Sequence, residues 1–252
     1  MKNLQEIKKL SFELNDIMDI IYDVTGKRIN MRSDYKVIHD RLFEDWYSTF
    51  DHKVYSDTDY IFVPLDCFKG WTRNNVINTI KYFHKISVAP KSILDLFGGT
   101  GQSTILLALA FPESEVYYFN SDSTQNKVFE KLVEKYKVLN IKIVNDLTLV
   151  KPECVVAYEA IEHIQDPTSF MVNLLKDVTY YVDASSFTLD SIGHYPFYLD
   201  GQKQIANKDY KRFYFKWLNS IGFNNSFSKQ LKDTKFYHDR FYNGRPNVFV
   251  RH

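Results

Sequence analysis

Apolar residues fall into two patterns along the chain. Up to about residue 90 they recur at helical spacing. Leu4, Ile7, Leu10, Leu14, Ile17, Met18 and Ile21 predict one amphipathic helix over 3–22, with Gly26 as its end signal. Tyr35, Ile38, Leu42, Trp46 and Phe50 predict a second helix over 34–50, followed by a polar loop from Asp51 to Asp59. Tyr60 to Val63, ending at Pro64, predicts a short strand or extended segment. Val76, Ile77, Ile80, Phe83 and Ile86 predict a third helix over 73–86.

After Pro90 the pattern changes to short continuous apolar runs alternating with helical repeats. Runs at 93–96, 115–119, 141–144, 155–158 and 179–183 read as buried strands, and 105–111, 124–139, 168–176 and 209–221 as helices, the last closed by Gly222. Segments 225–232 and 247–251 read as antiparallel strands around a loop over 234–246, and 184–199 reads as an irregular aromatic loop. Strand–helix alternation of this kind predicts an α/β fold, a doubly wound, mostly parallel seven-stranded sheet with an antiparallel final strand. Residues 1–90 are expected to form a helical N-terminal cap on a Rossmann-like domain over 91–252. Phe68, Trp71 and Arg73 of the cap are candidates to line a pocket, with packing as the plainer role for Trp71.

Composition narrows the class. The 252 residues are 44% apolar and 16% aromatic, enough for a sizeable core. Cys67 and Cys154 form no disulfide framework, which suits a reducing compartment. The longest apolar run, Ile105 to Phe111, is too short to span a membrane, and the N-terminus lacks a signal-peptide block, so a cytoplasmic location without membrane contact is expected. Net charge is +1, but the part from Lys203 onward is strongly basic. That asymmetry fits either a solvated surface or a nucleic-acid face.

The candidate chemistry starts at Asp95-Leu-Phe-Gly-Gly-Thr-Gly101, a strand that turns on glycines into a helix. Gly98, Gly99 and Gly101 let a ligand approach the backbone, and the helix N-terminus offers free N–H groups. Thr104 breaks the dinucleotide fingerprint at its third glycine, and no lysine follows Gly101 as a P-loop requires. A second stretch, Glu159-Ala-Ile-Glu-His-Ile-Gln-Asp-Pro167, follows the fourth predicted strand. Together the two stretches resemble motif I and the post-strand-four motif of class I S-adenosylmethionine (SAM)-dependent methyltransferases, with Phe97 where glycine is usual. The resemblance covers about residues 90–252.

The resemblance implies a cofactor site over Asp95, Phe97, Gly98, Gly99 and Gly101. Asn120 falls where the family usually places the acidic residue that binds the ribose hydroxyls, and Asp122 could substitute. Asp146 and Leu147 match the adenine position, although an Asp capping a turn reads equally well there. Glu159 lies at the edge of the same crevice. His163 is the first candidate for a catalytic base, with a structural role as the alternative. Glu159, Glu162 and His163 are spaced i, i+3, i+4, one face of a helical turn. With His194 from the loop after strand five they could hold Mg²⁺ or Mn²⁺, as E-x-x-E-H does in 2′-O-methyltransferases of small RNAs and in ubiquinone-pathway O-methyltransferases. Tyr195, Phe197 and Tyr198 beside His194 could enclose a flat acceptor or serve packing.

The expected activity is methyl transfer from SAM to a small-molecule or nucleotide-like acceptor. One alternative is RNA or modified DNA bound on the basic C-terminal part. Another is a non-catalytic methyltransferase-like binding subunit, for which Phe97 and Asn120 are the grounds.

Overall fold

The computed structural model describes residues 3–188, 191–226 and 246–251. Among them, seven strands form one sheet in the order β3-β2-β1-β4-β5-β9-β8. The first five, β1 (Ser92–Leu96), β2 (Glu115–Phe119), β3 (Ile141–Ile143), β4 (Cys154–Ala157) and β5 (Tyr180–Asp183), run parallel. Strand β9 (Asn247–Arg251) lies antiparallel to β5, and β8 (Phe223–Asn225) antiparallel to β9. The final strand thus inserts between β5 and β8. Residues 227–232 of the expected 225–232 strand, and nearly all of the loop expected over 234–246, lie outside the described residues.

Helices α6 (Gln102–Ala110), α7 (Ser123–Tyr136), α8 (Pro167–Leu174) and α9 (Asn207–Ser220) connect the strands. β1 and β4 are buried at almost every position, which is why they read as unbroken apolar runs. Strand order reverses between β1 and β4, so a crevice opens at their C-terminal ends, the usual ligand position in such sheets.

The cap departs from its expected elements in two places. The predicted helix over 3–22 is two helices, α1 (Leu4–Glu13) and α2 (Met18–Thr25). Asp16 accepts a bond from the Met18 N–H at 3.4 Å, so a side chain replaces the helical backbone partner at the break. Tyr60 to Val63 is not extended. Phe62–Cys67 is helix α4, which continues through a π-turn at Phe68–Thr72 into α5 (Arg73–Lys85). Pro64 sits in the first turn of α4, where no intrahelical N–H partner exists and proline costs nothing. The aromatic and β-branched residues there face a core, and burial overrides their strand preference.

Ile7, Leu14 and Ile21 of the cap share one apolar cluster with Ile105, Leu106 and Phe129 of the sheet's helices. Trp46 on α3 (Tyr35–Thr49) is fully buried. Such a ring removes roughly 200 Å² from water, on the order of 5 kcal/mol before entropy is counted. At the end of the expected 184–199 loop and beyond it, β6 (Phe197–Asp200) pairs with β7 (Lys203–Ala206) across a two-residue turn whose Gly201 takes φ 61°. No helix among the described residues is long and apolar enough to cross a membrane.

Candidate active site

The crevice begins at the glycine turn. Gly99 and Gly101 have φ of 57° and 85°, and a Cβ on Gly101 would stand 2.0 Å from the Phe129 ring. A Cβ on Gly98 would meet the Tyr118 ring at 2.9 Å, and one on Gly99 would meet Pro64 of the cap at 3.1 Å. Tyr118 and Phe129 stack at 3.8 Å beneath the turn. Two of the three glycines therefore admit these rings, and only Gly99 lies directly under the cap.

Asp95 ends as a support for this turn. Its Oδ2 accepts bonds from Ser103 Oγ and Thr104 Oγ1, both at 2.6 Å, at the N-terminus of α6. Burial raises its carboxyl to about 6, against the pull of these two hydroxyls. Phe97, one residue beyond β1, has φ 55°. The left-handed conformation explains why glycine suits this position, and it costs a phenylalanine on the order of 1–3 kcal/mol. The Phe97 ring packs against Phe119 and Phe170 at 5.3 and 5.8 Å.

Two cavities fill the crevice under the cap. One, of about 130 Å³, is lined by Tyr35, Thr72, Asp95, Gln102 and His194 among others. Gln102 Nε2 is buried without a hydrogen-bond partner, so this cavity holds an unused donor. The other, of about 210 Å³, is lined by Asn120, Asp122, Gln125 and His52 among others. Tyr60, Pro64, Phe97, Gly99, Glu159 and His163 line both. The structure thus brings the glycine turn, Asn120, Asp122, Glu159 and His163 to one crevice.

Asn120 gives its amide to Gln125 Oε1 at 3.1 Å, which leaves its carbonyl oxygen for a ligand. Asp122 caps α7, accepting from the Gln125 N–H at 2.6 Å. Asp146 is not in the lining of either cavity. Its Oδ1 accepts from Thr148 N and Oγ1 at 2.8 and 2.7 Å, the turn-capping role. Leu147 lines a separate cavity with Phe170 and Leu174.

The acidic motif takes a different shape from the expected helical face. Glu159 has φ 49°, and only Ile161–His163 forms a 3₁₀ turn. Glu159 therefore stands outside that turn, and the i, i+3, i+4 alignment does not hold for it. The ligand atoms of Glu162, His163 and His194 nevertheless lie within 4.8 Å of one another. Glu162 is fully buried, its Oε1 accepting from Ser186 N at 2.7 Å and its Oε2 without a partner. Glu159 Oε1 is likewise buried and unpartnered.

Charges in this cluster are set by burial. Burial and then the Glu162 charge push the Glu159 carboxyl well above its usual range. Burial also opposes the charge on Glu162, but the polar groups around it, the His163 and His194 rings and the Ser186 N–H, outweigh burial and hold its carboxyl below its usual range. Burial lowers His163 to about 4, so its ring is neutral at pH 7. A neutral imidazole this weak is a poor general base and a good ligand. Its Nδ1 bonds the Tyr55 hydroxyl at 3.1 Å. His194 Nδ1 lies 2.6 Å from the Thr188 carbonyl, so that nitrogen carries a proton, and Nε2 faces Glu162 Oε1 at 4.0 Å. An imidazole held by a carbonyl on one side, facing a buried carboxylate whose second oxygen has no partner on the other, fits a divalent cation.

The cap holds this arrangement. Trp46 Nε1 donates to the His194 carbonyl at 3.0 Å, and the Tyr195 hydroxyl bonds His52 Nε2 at 2.7 Å. Tyr55, Tyr60, Pro64 and Gln125 carry no candidate role in the sequence. They lie on elements far apart in the chain, and no local pattern marks them.

No family model and no curated protein sequence matches the chain. Solved structures resemble it at low identity. A putative O-methyltransferase from Nostoc punctiforme PCC 73102 aligns with TM-score 0.49 and 13% identity over 80% of this chain and 60% of its own. EvdMO1 aligns with TM-score 0.48 and 15% identity over 69% of this chain and 40% of its own. Coclaurine N-methyltransferase, bound to N-methylheliamine and SAH, aligns with TM-score 0.41 and 15% identity over 71% of this chain and 62% of its own. The chain spans less than two thirds of the length of each of these three. With TM-scores below 0.5 and identities of 15% or less, these likenesses decide nothing about this chain. What decides the fold is the sheet itself: five parallel strands in the order 3-2-1-4-5, then the last strand antiparallel between the fifth and its hairpin partner. The chain has the fold of the class I SAM-dependent methyltransferases.

Proposed function

We propose that the protein binds SAM in the crevice between β1 and β4 and transfers its methyl group to a small-molecule or nucleotide-like acceptor. One observation carries the reading: the glycine turn, Asn120, Asp122 and Glu159 converge on the crevice where the sheet order reverses. Bound SAM supplies an electrophilic methyl, so the chain's own task is to position the acceptor and exclude water.

The roles follow from the chemistry of each group. Gln102 and Thr100 are suited to the polar amino-acid end of the cofactor. Asn120 and Asp122 are suited to its ribose hydroxyls, with Asn120 accepting through its carbonyl. Glu159, Glu162, His163 and His194 would hold Mg²⁺ or Mn²⁺, which would polarise an acceptor hydroxyl. Tyr60 and Pro64 cover the crevice and keep it dry.

RNA or modified DNA as acceptor is the weaker reading. Of the basic residues after Lys203, Lys229, Lys232, Lys235, Arg240 and Arg245 are outside the described residues, which leaves Lys208, Lys211, Arg212 and Lys216, exposed on α9, as the main described part of that stretch. The testing experiment is calorimetric titration with SAM and with its demethylated product, with and without Mn²⁺. Micromolar binding is expected, tighter with Mn²⁺. No binding of either compound overturns the proposal in favour of a non-catalytic subunit.

A further inference from the structure

One site histidine takes a hydrogen-bond partner from the cap. Tyr55 lies in the 3₁₀ turn His52–Ser56, and its hydroxyl is 3.1 Å from His163 Nδ1. The Tyr55 ring meets Tyr60 edge-on at 4.9 Å and Trp46 at 6.2 Å. Those ring contacts hold it whether or not it carries a hydroxyl.

Gly193 makes room for this approach. It has φ 86°, and a Cβ there would stand 2.2 Å from both His163 Nδ1 and the Tyr55 hydroxyl oxygen. A side chain at this position would push the two apart. The cap also reaches the other histidine of the cluster, through the Trp46 bond to the His194 carbonyl. Both histidines are therefore tied to the short stretch between Trp46 and Tyr55.

The contact has a chemical consequence. A neutral imidazole carries one N–H and one lone pair. The ligand atoms of His163, Glu162 and His194 lie within 4.8 Å of one another. With Nδ1 taken by Tyr55, Nε2 is the nitrogen left for a cation. A cation on Nε2 needs that lone pair, so the proton must sit on Nδ1. A hydroxyl oxygen accepts from Nδ1–H, which fixes both the tautomer and the plane of the ring.

We propose that Tyr55 is a positioning residue of the cation centre, its hydroxyl accepting from His163 Nδ1–H so that Nε2 faces a divalent cation shared with Glu162 and His194. This rests on reading the Glu162, His163 and His194 cluster as a cation site.

The test is Mn²⁺ titration of the full chain by electron paramagnetic resonance, with melting temperatures measured in the absence of cation. Tyr55→Phe keeps the ring contacts and is expected to bind Mn²⁺ about 10-fold more weakly than the wild type. In a His163→Asn background the same change should alter Mn²⁺ affinity by less than about 2-fold, because the hydroxyl acts through that ring. Equal losses in the two backgrounds would overturn action through His163. A hydroxyl that serves packing alone would lower the melting temperature and leave Mn²⁺ affinity unchanged. Gly193→Ala is the second handle. It drives a methyl between hydroxyl and ring and should also weaken Mn²⁺ binding about 10-fold. Gly201→Ala has φ 61° with nothing within 4 Å and controls for backbone strain, so its Mn²⁺ affinity should equal that of the wild type. Wild-type uptake with Tyr55→Phe unchanged overturns the role of Tyr55 alone. No Mn²⁺ uptake by the wild type overturns the cation reading with it.

Discussion

His194 Nε2 lies 4.0 Å from Oε1 of Glu162, while Nδ1 of the same ring is fixed on the Thr188 carbonyl. The gap exceeds a hydrogen bond, yet it faces a fully buried carboxylate. Glu162→Gln keeps the shape and the acceptor for Ser186 N while removing the charge. It should abolish the rise in melting temperature that Mn²⁺ gives the wild type, a rise of about 3 kcal/mol in stability at 100 times Kd. Thermal melts with increasing Mn²⁺ check this, and an undiminished rise in the variant would remove Glu162 from the site.

The glycines of the first turn are constrained unequally. Gly101→Ala places a Cβ against Phe129 at a positive φ, and should destabilise by about 3 kcal/mol or more. Gly26→Ala has a similar φ but nothing within 4 Å, and should cost only about 1 kcal/mol. Urea unfolding of the two variants measures the difference directly. Equal losses would mean that backbone conformation, and not the stacked Tyr118–Phe129 pair, sets the requirement.

Asp95 predicts a pH dependence of stability. Its carboxyl is raised by burial from 3.8 to about 6 in the fold, so the native state binds a proton more tightly than the unfolded chain. The associated stability is present in full below about pH 4 and is lost as pH rises to about 6, up to about 3 kcal/mol. His163, lowered by burial to about 4, acts in the opposite sense between about 4 and 6.5, so the wild-type curve alone is uninformative. Asp95→Asn should gain on wild type steadily between pH 4 and 6 in urea titrations. A constant difference would show that Asp95 titrates normally.

Asn120 and Asp146 predict opposite results for the cofactor. Asn120→Asp restores a carboxylate beside Asp122 and should tighten SAM binding by about 3–10-fold through charge-assisted bonds. Asp146→Ala breaks only the turn to Thr148 and should leave SAM affinity within about 2-fold. Calorimetry on both variants decides it, and a large loss in Asp146→Ala would return that residue to the cofactor site.

Much of the sheet was legible because its central strands are buried on both faces, which forces continuous apolar runs with glycine or polar ends. Asp95 to Gly101 and Glu159 to Pro167 were visible because each works through a local turn. The cap was less legible. Tyr60 to Val63 has a strand composition, but its neighbours in space make it the start of α4, and the break at Asn15–Asp16 depends on one side-chain hydrogen bond. The hairpin of β6 and β7 lay hidden in a stretch whose aromatics gave no clear period.

The sequence by itself determined the order of the five parallel strands and their connecting helices and the position of the glycine turn, since these depend on residues close along the chain. Tertiary structure decided which side chains meet. It placed Pro64 above Gly99, turned Asp95 onto Ser103 and Thr104, set Asp146 on its own turn, and brought Ser186 onto Glu162. Such meetings follow from how strands line up and how the cap closes, and spacing along the chain carries no record of either.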